Sequence, residues 1–312
     1  MPNLIDNFAQ NLLAYGLKQK NVVVLESDNR YLSKTHLFSK HTENRFYSFG
    51  LSEKDMISTA SGLASMGKIP IVCAFAGNLT GNAWQQIKNN ICLPNLNVKM
   101  IGINAGILSE NYGYSSPCVE DIALMLPLPN LKIFSPANEE EGSEIFKHMI
   151  NTFGPMYLRL SSFEYPETEE QKNKFEEGEP ILIKKGSQIS LIVTGPILNT
   201  ILKIINNPKS KIKNFPTIYS LPTLKPINLP SMEKIAKKSK KIIVIEDHRE
   251  IGALGSILSQ TINKKFSCEI HSIGLKDTFF ENKNNIPLCN PEKLFKEINE
   301  ICKKNYFFVH GI

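Results

Sequence analysis

The chain has 312 residues, which at roughly 100–200 residues per domain is enough for about two domains, each able to bury a core without disulfides or metal. Apolar residues make up 42% and charged residues 21%, the balance of an ordinary globular protein, which excludes a disordered chain, a collagen or a coiled coil. The net charge of +6 arises from 36 basic and 30 acidic residues that are interleaved, so it reads as a solvated surface rather than a nucleic-acid or membrane patch.

Short β-branched runs alternate with longer amphipathic segments from the start. Leu4, Phe8, Leu12 and Leu13 share one helical face ahead of a predicted strand at 22–25. Met56, Ala60, Leu63 and Ala64 do the same ahead of a strand at 69–74, and Ala83, Ile87 and Ile91 ahead of one at 98–103. A strand at 131–134 precedes the helical pattern of Ile145, Met149 and Ile150. Further strands are expected at 189–194, 242–245 and 307–309. Near-continuous apolar runs of this length suit strands buried on both faces, and their alternation with helices predicts the α/β class with mainly parallel sheets. Composition shifts at Ser162–Gly186, where a charged stretch shows no apolar period until about Ile181. The expected organisation is therefore a first domain over 1–165, a linker over 166–186 and a second domain over 187–312.

Six scattered cysteines with no CxxC pair point to a reduced, cytoplasmic protein without a zinc site. No signal peptide is visible, and no stretch of about 20 residues is apolar enough to span a bilayer. GxGxxG, GxxxxGK[ST], HExxH and GxSxG are all missing.

The most informative segment is 45–56, where a short apolar run ends at Gly50 and a small-residue helix follows. Glu53 falls at the start of that helix. There a carboxylate is favoured by the helix dipole alone, by a few tenths of a kcal/mol, and needs no catalytic role. The surrounding residues extend its meaning. Phe49-Gly50-Leu51-Ser52-Glu53-Lys54-Asp55-Met56 resembles the glycine–isoleucine–x–glutamate–x–x–methionine signature of transketolases and 1-deoxyxylulose-5-phosphate synthases. The similarity continues in order through Asp28 with Ser33-Lys34-Thr35, Ala60-Ser61-Gly62-Leu63-Ala64, Phe75, Ala83-Trp84-Gln85-Gln86-Ile87, and Ile122 to Pro136-Ala137. In the second half Leu221-Pro222-Thr223, Glu246-Asp247-His248, Gly252-Ala253-Leu254-Gly255 and Asp277-Thr278-Phe279 fit the C-terminal domain.

The resemblance implies two three-layer α/β domains, a thiamine-diphosphate pyrimidine-binding fold followed by a transketolase C-terminal-domain-like fold. It also implies thiamine diphosphate as cofactor and transfer of a two-carbon ketol unit from a ketose to an aldehyde. Glu53 is then the carboxylate on the aminopyrimidine ring, with Phe75, Leu51 and Asn78 on the same side of the cofactor. Asp28, Asn104, Tyr112 and Ser116 fall at substrate positions. His248 corresponds to a structural or interfacial region. The family's glycine–aspartate–glycine motif for the diphosphate and its Mg2+ (or Ca2+ or Mn2+) is missing. The first helix starts too near Met1 to leave room for the domain that carries it. This chain is accordingly expected to hold no metal itself and to act as the C-terminal half of a split transketolase. Its partner would be an N-terminal subunit of roughly 250–300 residues by ordinary domain lengths, assembled as α2β2.

Several positions depart from the family pattern. Asn104 and Ser116 stand where histidines are usual, Tyr112 where an acid is usual, and the phosphate-holding arginine is replaced near Ser162. Asn78 replaces an aromatic residue and Asn82 a basic one. Charge-assisted hydrogen bonds of this kind are worth about 1.5–3 kcal/mol each, so their joint loss implies a non-standard sugar substrate. The two alternatives are a β subunit of a 2-oxo-acid dehydrogenase or pyruvate-using synthase, and a non-catalytic regulatory subunit.

Overall fold

Uninterrupted apolar runs in this chain form strands covered on both faces, and those strands assemble into two sheets. The computed structural model describes residues 3–109, 118–164, 174–206, 215–262, 268–279 and 286–303. The first sheet contains β1 (Val22–Glu26), β2 (Phe46–Ser48), β3 (Ile69–Phe75), β4 (Lys99–Ile103), β5 (Lys132–Phe134) and β6 (Met156–Arg159). The second half supplies β7 (Ile181–Lys184), β8 (Ile189–Thr194), β9 (Thr217–Ser220), β10 (Thr223–Lys225), β11 (Lys241–Arg249) and β12 (Glu269–Leu275). The sheet orders are β10-β5-β6-β4-β3-β1-β2 and β12-β11-β8-β9-β7. All pairings are parallel except β10 with β5 and β7 with β9. One strand of the second half thus completes the sheet of the first, and β7 lies inside the stretch read as a linker.

The predicted strands at 22–25, 69–74, 98–103, 131–134, 189–194 and 242–245 coincide with β1, β3, β4, β5, β8 and β11. The strand expected at 307–309 lies outside the described residues. The unanticipated strands have physical reasons for their silence. β2 is an edge strand exposed at Tyr47 and Ser48, β9 alternates buried and half-buried, and β12 is half-buried over its first four residues. β6 is wholly buried, but its sequence Met-Tyr-Leu-Arg carries polar tips that hide it from an apolar-run reading.

The helices are α1 (Leu4–Gly16), α2 (His36–Ser39), α3 (Glu53–Ser65), α4 (Trp84–Gln86), α5 (Asp121–Met125), α6 (Glu139–Asn151), α7 (Ile197–Asn206), α8 (Leu229–Lys238), α9 (Leu254–Ile262) and α10 (Pro291–Lys303). α1 and α6 start with asparagine caps: Asn3 accepts from the Asp6 N–H at 2.8 Å and Asn138 from the Glu141 N–H at 2.9 Å. The segment carrying Ala83, Ile87 and Ile91 is only briefly α-helical. Their constant four-residue spacing exceeds the 3.6-residue α period, and wider π turns at Asn78–Asn82 and Ile87–Cys92 keep all three buried.

Three large apolar clusters divide the layers. α1 and α6 cover one face of the first sheet, and α7 and α10 cover one face of the second. Between the sheets a single cluster joins Met56, Ile57, Ile122 and Met125 to Ile235, Leu254, Leu258 and Val244. The two halves therefore share one core.

Candidate functional site

Glu53 owes its position to the turn after β2. Phe49 donates its N–H to the Glu26 carbonyl at 2.9 Å, and Gly50 then adopts φ +62°, a left-handed conformation that suits glycine. Leu51 is left 76% exposed, while α3 begins two residues later and buries Met56, Ile57 and Ala60. This places Glu53 at the first helical residue, where the dipole favours a carboxylate. Its side chain is buried at 4% exposure. Among the described residues the only hydrogen bond to the carboxylate comes from Asn78 Nδ2, which donates to Oε1 at 3.3 Å. A carboxylate has about four acceptor sites, so Glu53 is buried and under-supplied with donors. Asn78 is the first residue of the π turn that follows β3, a distortion that is frequent at functional sites.

A cavity of about 250 Å3, lined by neither Glu53 nor Asn78, opens beside Phe75 at the carboxyl ends of the parallel strands. Such ends are where ligands bind in open α/β sheets. Its wall includes Phe75 at the end of β3, Ile103 and Asn104 at the end of β4, and Ser162 and Glu164 beyond β6. Tyr31, Leu32 and Lys34 come from the loop after β1, and Asn3 and Ile5 from the start of α1. Asn104 has φ +55° and accepts from Ser162 Oγ at 3.2 Å. The loop is anchored by buried Glu26, which accepts from Thr35 Oγ1 at 2.6 Å and Ser33 Oγ at 3.0 Å. Burial pushes the Glu26 carboxyl up to about 8, against the opposing pull of the Thr35 and Ser33 hydroxyls. Lys34 is ion-paired with Asp6.

A larger cavity of about 480 Å3 lies along α6, lined by Glu140, Glu141 and Glu144 among others. It shares no lining residue with the cavity beside Phe75 and lies along α6 rather than at the strand ends, and size alone does not make it the site.

The structure thus joins Glu53 to Asn78 and places Phe75 and Asn104 on one cavity wall. Leu51 is on the open surface beside Glu53. Asp28 is exposed and is not among the residues lining the cavity. Tyr112 and Ser116 lie outside the described residues. His248 is fully buried: its Nδ1 is 2.9 Å from the Arg249 carbonyl, and Nε2 accepts from the Ala123 N–H at 3.4 Å. Burial holds its pKa below the ordinary histidine value.

Sequence reasoning missed the charges that organise these surfaces. Arg159 is buried between the halves, with Nε 2.9 Å from Asp121 Oδ2 and Nη1 2.6 Å from Asp247 Oδ1. Burial raises Asp247 to about 6, and the adjoining guanidinium opposes that rise. Only pairing partners distant in sequence give Arg159 its meaning. The Lys34–Asp6 pair was equally silent, although the flanking Ser33 and Thr35 marked the loop. Among the described residues no group of three or more His, Cys, Asp or Glu side chains could hold a metal ion, and no helix is long and apolar enough to cross a membrane.

Residues 2–168 match the family model described as the transketolase pyrimidine-binding domain, and residues 178–286 that of the transketolase C-terminal domain. A putative transketolase C-terminal section from Methanocaldococcus jannaschii is 32% identical, over 87% of this chain and 86% of the relative. An apulose-4-phosphate transketolase subunit of Actinobacillus succinogenes is 29% identical over 78% of each. Among solved structures, a split-gene transketolase described as an inactive β4 tetramer superimposes with a TM-score of 0.84 at 27% identity, covering 96% of this chain and 97% of that one.

Proposed function

The chain belongs to the transketolase family, and from that premise we propose that it is the C-terminal (β) subunit of a split, thiamine-diphosphate-dependent transketolase. The reaction breaks the carbon–carbon bond beside the ketone of a donor ketose and releases the shortened aldehyde. The two-carbon ketol unit is then joined to the carbonyl carbon of an acceptor aldehyde. No oxidant is consumed. The changed substrate positions favour a non-standard sugar, and a relative named for apulose 4-phosphate supports that reading.

The residues present fit the pyrimidine half of the cofactor. The observation that carries the reading is Glu53: a buried carboxylate at a helix start, held by one long bond from a neutral amide, has capacity for a ring N–H. Thiamine diphosphate, when bound, supplies a nucleophilic carbon that no protein side chain offers. Glu53 accepts a hydrogen bond from the aminopyrimidine ring and thereby sets which ring nitrogen can take a proton. Asn78 orients that carboxylate, Phe75 packs on the pyrimidine side, and exposed Leu51 closes the edge of the ring site toward the partner. Asn104 and Asp28 are assigned to the substrate side, and the family pattern assigns Tyr112 and Ser116 to it as well.

The diphosphate and its divalent cation are assigned to an N-terminal partner subunit in an α2β2 assembly, so this chain alone is inactive. A cytoplasmic location suits six cysteines that form no disulfide with one another. The decisive experiment is Glu53→Gln in the complex reconstituted with that partner. Turnover is lost while folding and assembly are retained; near-normal turnover refutes the reading. Calorimetric binding of thiamine diphosphate by the wild-type pair separates a catalytic subunit from a regulatory one.

A further inference from the structure

The cavity beside Phe75 carries a charge arrangement that the reading above does not explain. Among its described lining residues Lys34 is the only cation, and it is ion-paired with Asp6. Asp6 is itself fixed, because Asn3 Nδ2 donates to its Oδ2 at 2.8 Å and its own N–H is spent on Asn3 Oδ1. Lys34 is fixed from its backbone. Its φ is +59°, and the residues on either side, Ser33 and Thr35, bond through their hydroxyls to buried Glu26. The pair is therefore built in from both ends.

Glu164 is the one carboxylate among the described lining residues, and Asp6 acts from behind the wall through Lys34. Among the described lining residues Lys34 and Glu164 balance, while Asp6, paired with Lys34, and Arg30, stacked on the Tyr31 ring, add one charge of each sign just outside the wall. An anionic group entering here must compete with Asp6 for Lys34 and face Glu164 as well. A neutral hydroxyl meets no such obstacle. The ammonium has three donors, of which Asp6 takes one, and the Asn104 amide, Ser162 hydroxyl and Tyr31 phenol each donate and accept. The volume of about 250 Å3 lies below the range of about 300–1,000 Å3 for whole ligand pockets, which suits one end of a ligand. Phe75 on this wall is three residues from Asn78, which bonds Glu53.

We infer that this cavity receives the uncharged, hydroxyl-bearing end of a sugar, and that Asp6 sets that selectivity by neutralising Lys34. The inference rests on the transketolase reading, and its test separates the two. The wild-type α/β complex is assayed with D-fructose and with D-fructose 6-phosphate as donors to one common aldehyde. The ratio of kcat/KM favours the unphosphorylated donor by ten-fold or more. Asp6→Asn keeps an acceptor for Lys34 but removes the neutralising charge, and moves the ratio at least ten-fold toward the phosphorylated donor. Adding Lys34→Met to Asp6→Asn reverses that shift. Glu164→Gln moves the ratio in the same direction as Asp6→Asn and serves if the latter does not fold. A wild-type preference for the phosphorylated donor, or a ratio indifferent to both Asp6→Asn and Glu164→Gln, overturns the inference and leaves the transketolase reading standing.

Absence of thiamine-diphosphate-dependent turnover with every ketose sinks the transketolase reading instead. The purified chain is then titrated with inorganic phosphate, followed by NMR. The wild type shows no saturable binding, and Asp6→Asn gains a site that Lys34→Met removes. Saturable wild-type binding that Lys34→Met abolishes overturns it.

Discussion

Replacing Arg159 with methionine tests how the two halves are held together. The guanidinium is fully buried and makes three kinds of contact: Nε to Asp121 Oδ2 at 2.9 Å, Nη1 to Asp247 Oδ1 at 2.6 Å and Nη2 to the Asp247 carbonyl at 3.2 Å. Methionine retains much of the apolar stem but leaves two carboxylates buried without their counter-ion. Removing one partner of a buried pair costs about 3–5 kcal/mol. Two carboxylates lose theirs here, and Asp247 Oδ2 already has no hydrogen-bond partner, so the upper part of that range is expected at pH 8.

The loss depends on pH with a defined sign. Asp247 titrates near 6 in the folded protein, above its unfolded value of 3.8, because burial outweighs the guanidinium. The folded state thus binds the extra proton, and this group's contribution to stability falls as pH rises from about 4 to 6. Without Arg159 the carboxyl rises further, so the window extends above 6 and the variant recovers stability as the pH is lowered to 5. Urea unfolding followed by fluorescence of Trp84, the single tryptophan, measures both effects. Trp84 suits the purpose because its indole N–H donates to the Leu124 carbonyl at 2.7 Å, on the helix that begins at Asp121. The combined Asp121→Asn, Arg159→Met, Asp247→Asn variant regains most of the loss, since replacing a whole buried ionic group is often near neutral. A loss under about 1 kcal/mol, or an equal loss at pH 5 and pH 8, refutes the reasoning.

Further outcomes follow from other contacts. Asn78→Ala removes the bond to Glu53; bonds to charged groups are worth about 1.5–3 kcal/mol and this one is long at 3.3 Å. The reconstituted complex should lose about ten-fold in kcat/KM, equivalent to about 1.4 kcal/mol, with an unchanged unfolding midpoint. Gly106→Ala should destabilise the chain by more than about 1 kcal/mol, read as a shift in urea midpoint. Gly106 has φ +83°, and an added Cβ would collide with the Asp247 carboxylate. Glu26→Gln should flatten the fall of stability between pH 4.5 and 8. Glu26 is raised from 4.5 to about 8 in the folded state, which binds the additional proton across that window. Identical pH–stability curves for wild type and variant would remove this assignment.

The fold was legible where burial is complete on both faces. β3 reads as Ile-Pro-Ile-Val-Cys-Ala-Phe and is buried throughout except for half-buried Phe75, so its apolar run is its structure. β9, β10 and β12 were not legible, because half-exposed or three-residue strands lack a run long enough to separate from loops. Glu53 could be read from its neighbours, since a glycine turn and a helix start are local features. Its partner Asn78 could be named but not connected, because their bond depends on a distortion after β3.

What the sequence by itself determined was the alternation of strands and helices and the placement of Glu53 at the start of α3. Both follow from side-chain period and backbone preference over a few residues. The tertiary structure alone decided how Arg159 meets Asp121 and Asp247, how Lys34 is cancelled by Asp6, and that the two halves share a core. Those contacts join residues far apart in the chain. Ion pairing depends on distance and burial, which become defined only when the sheets have closed over them.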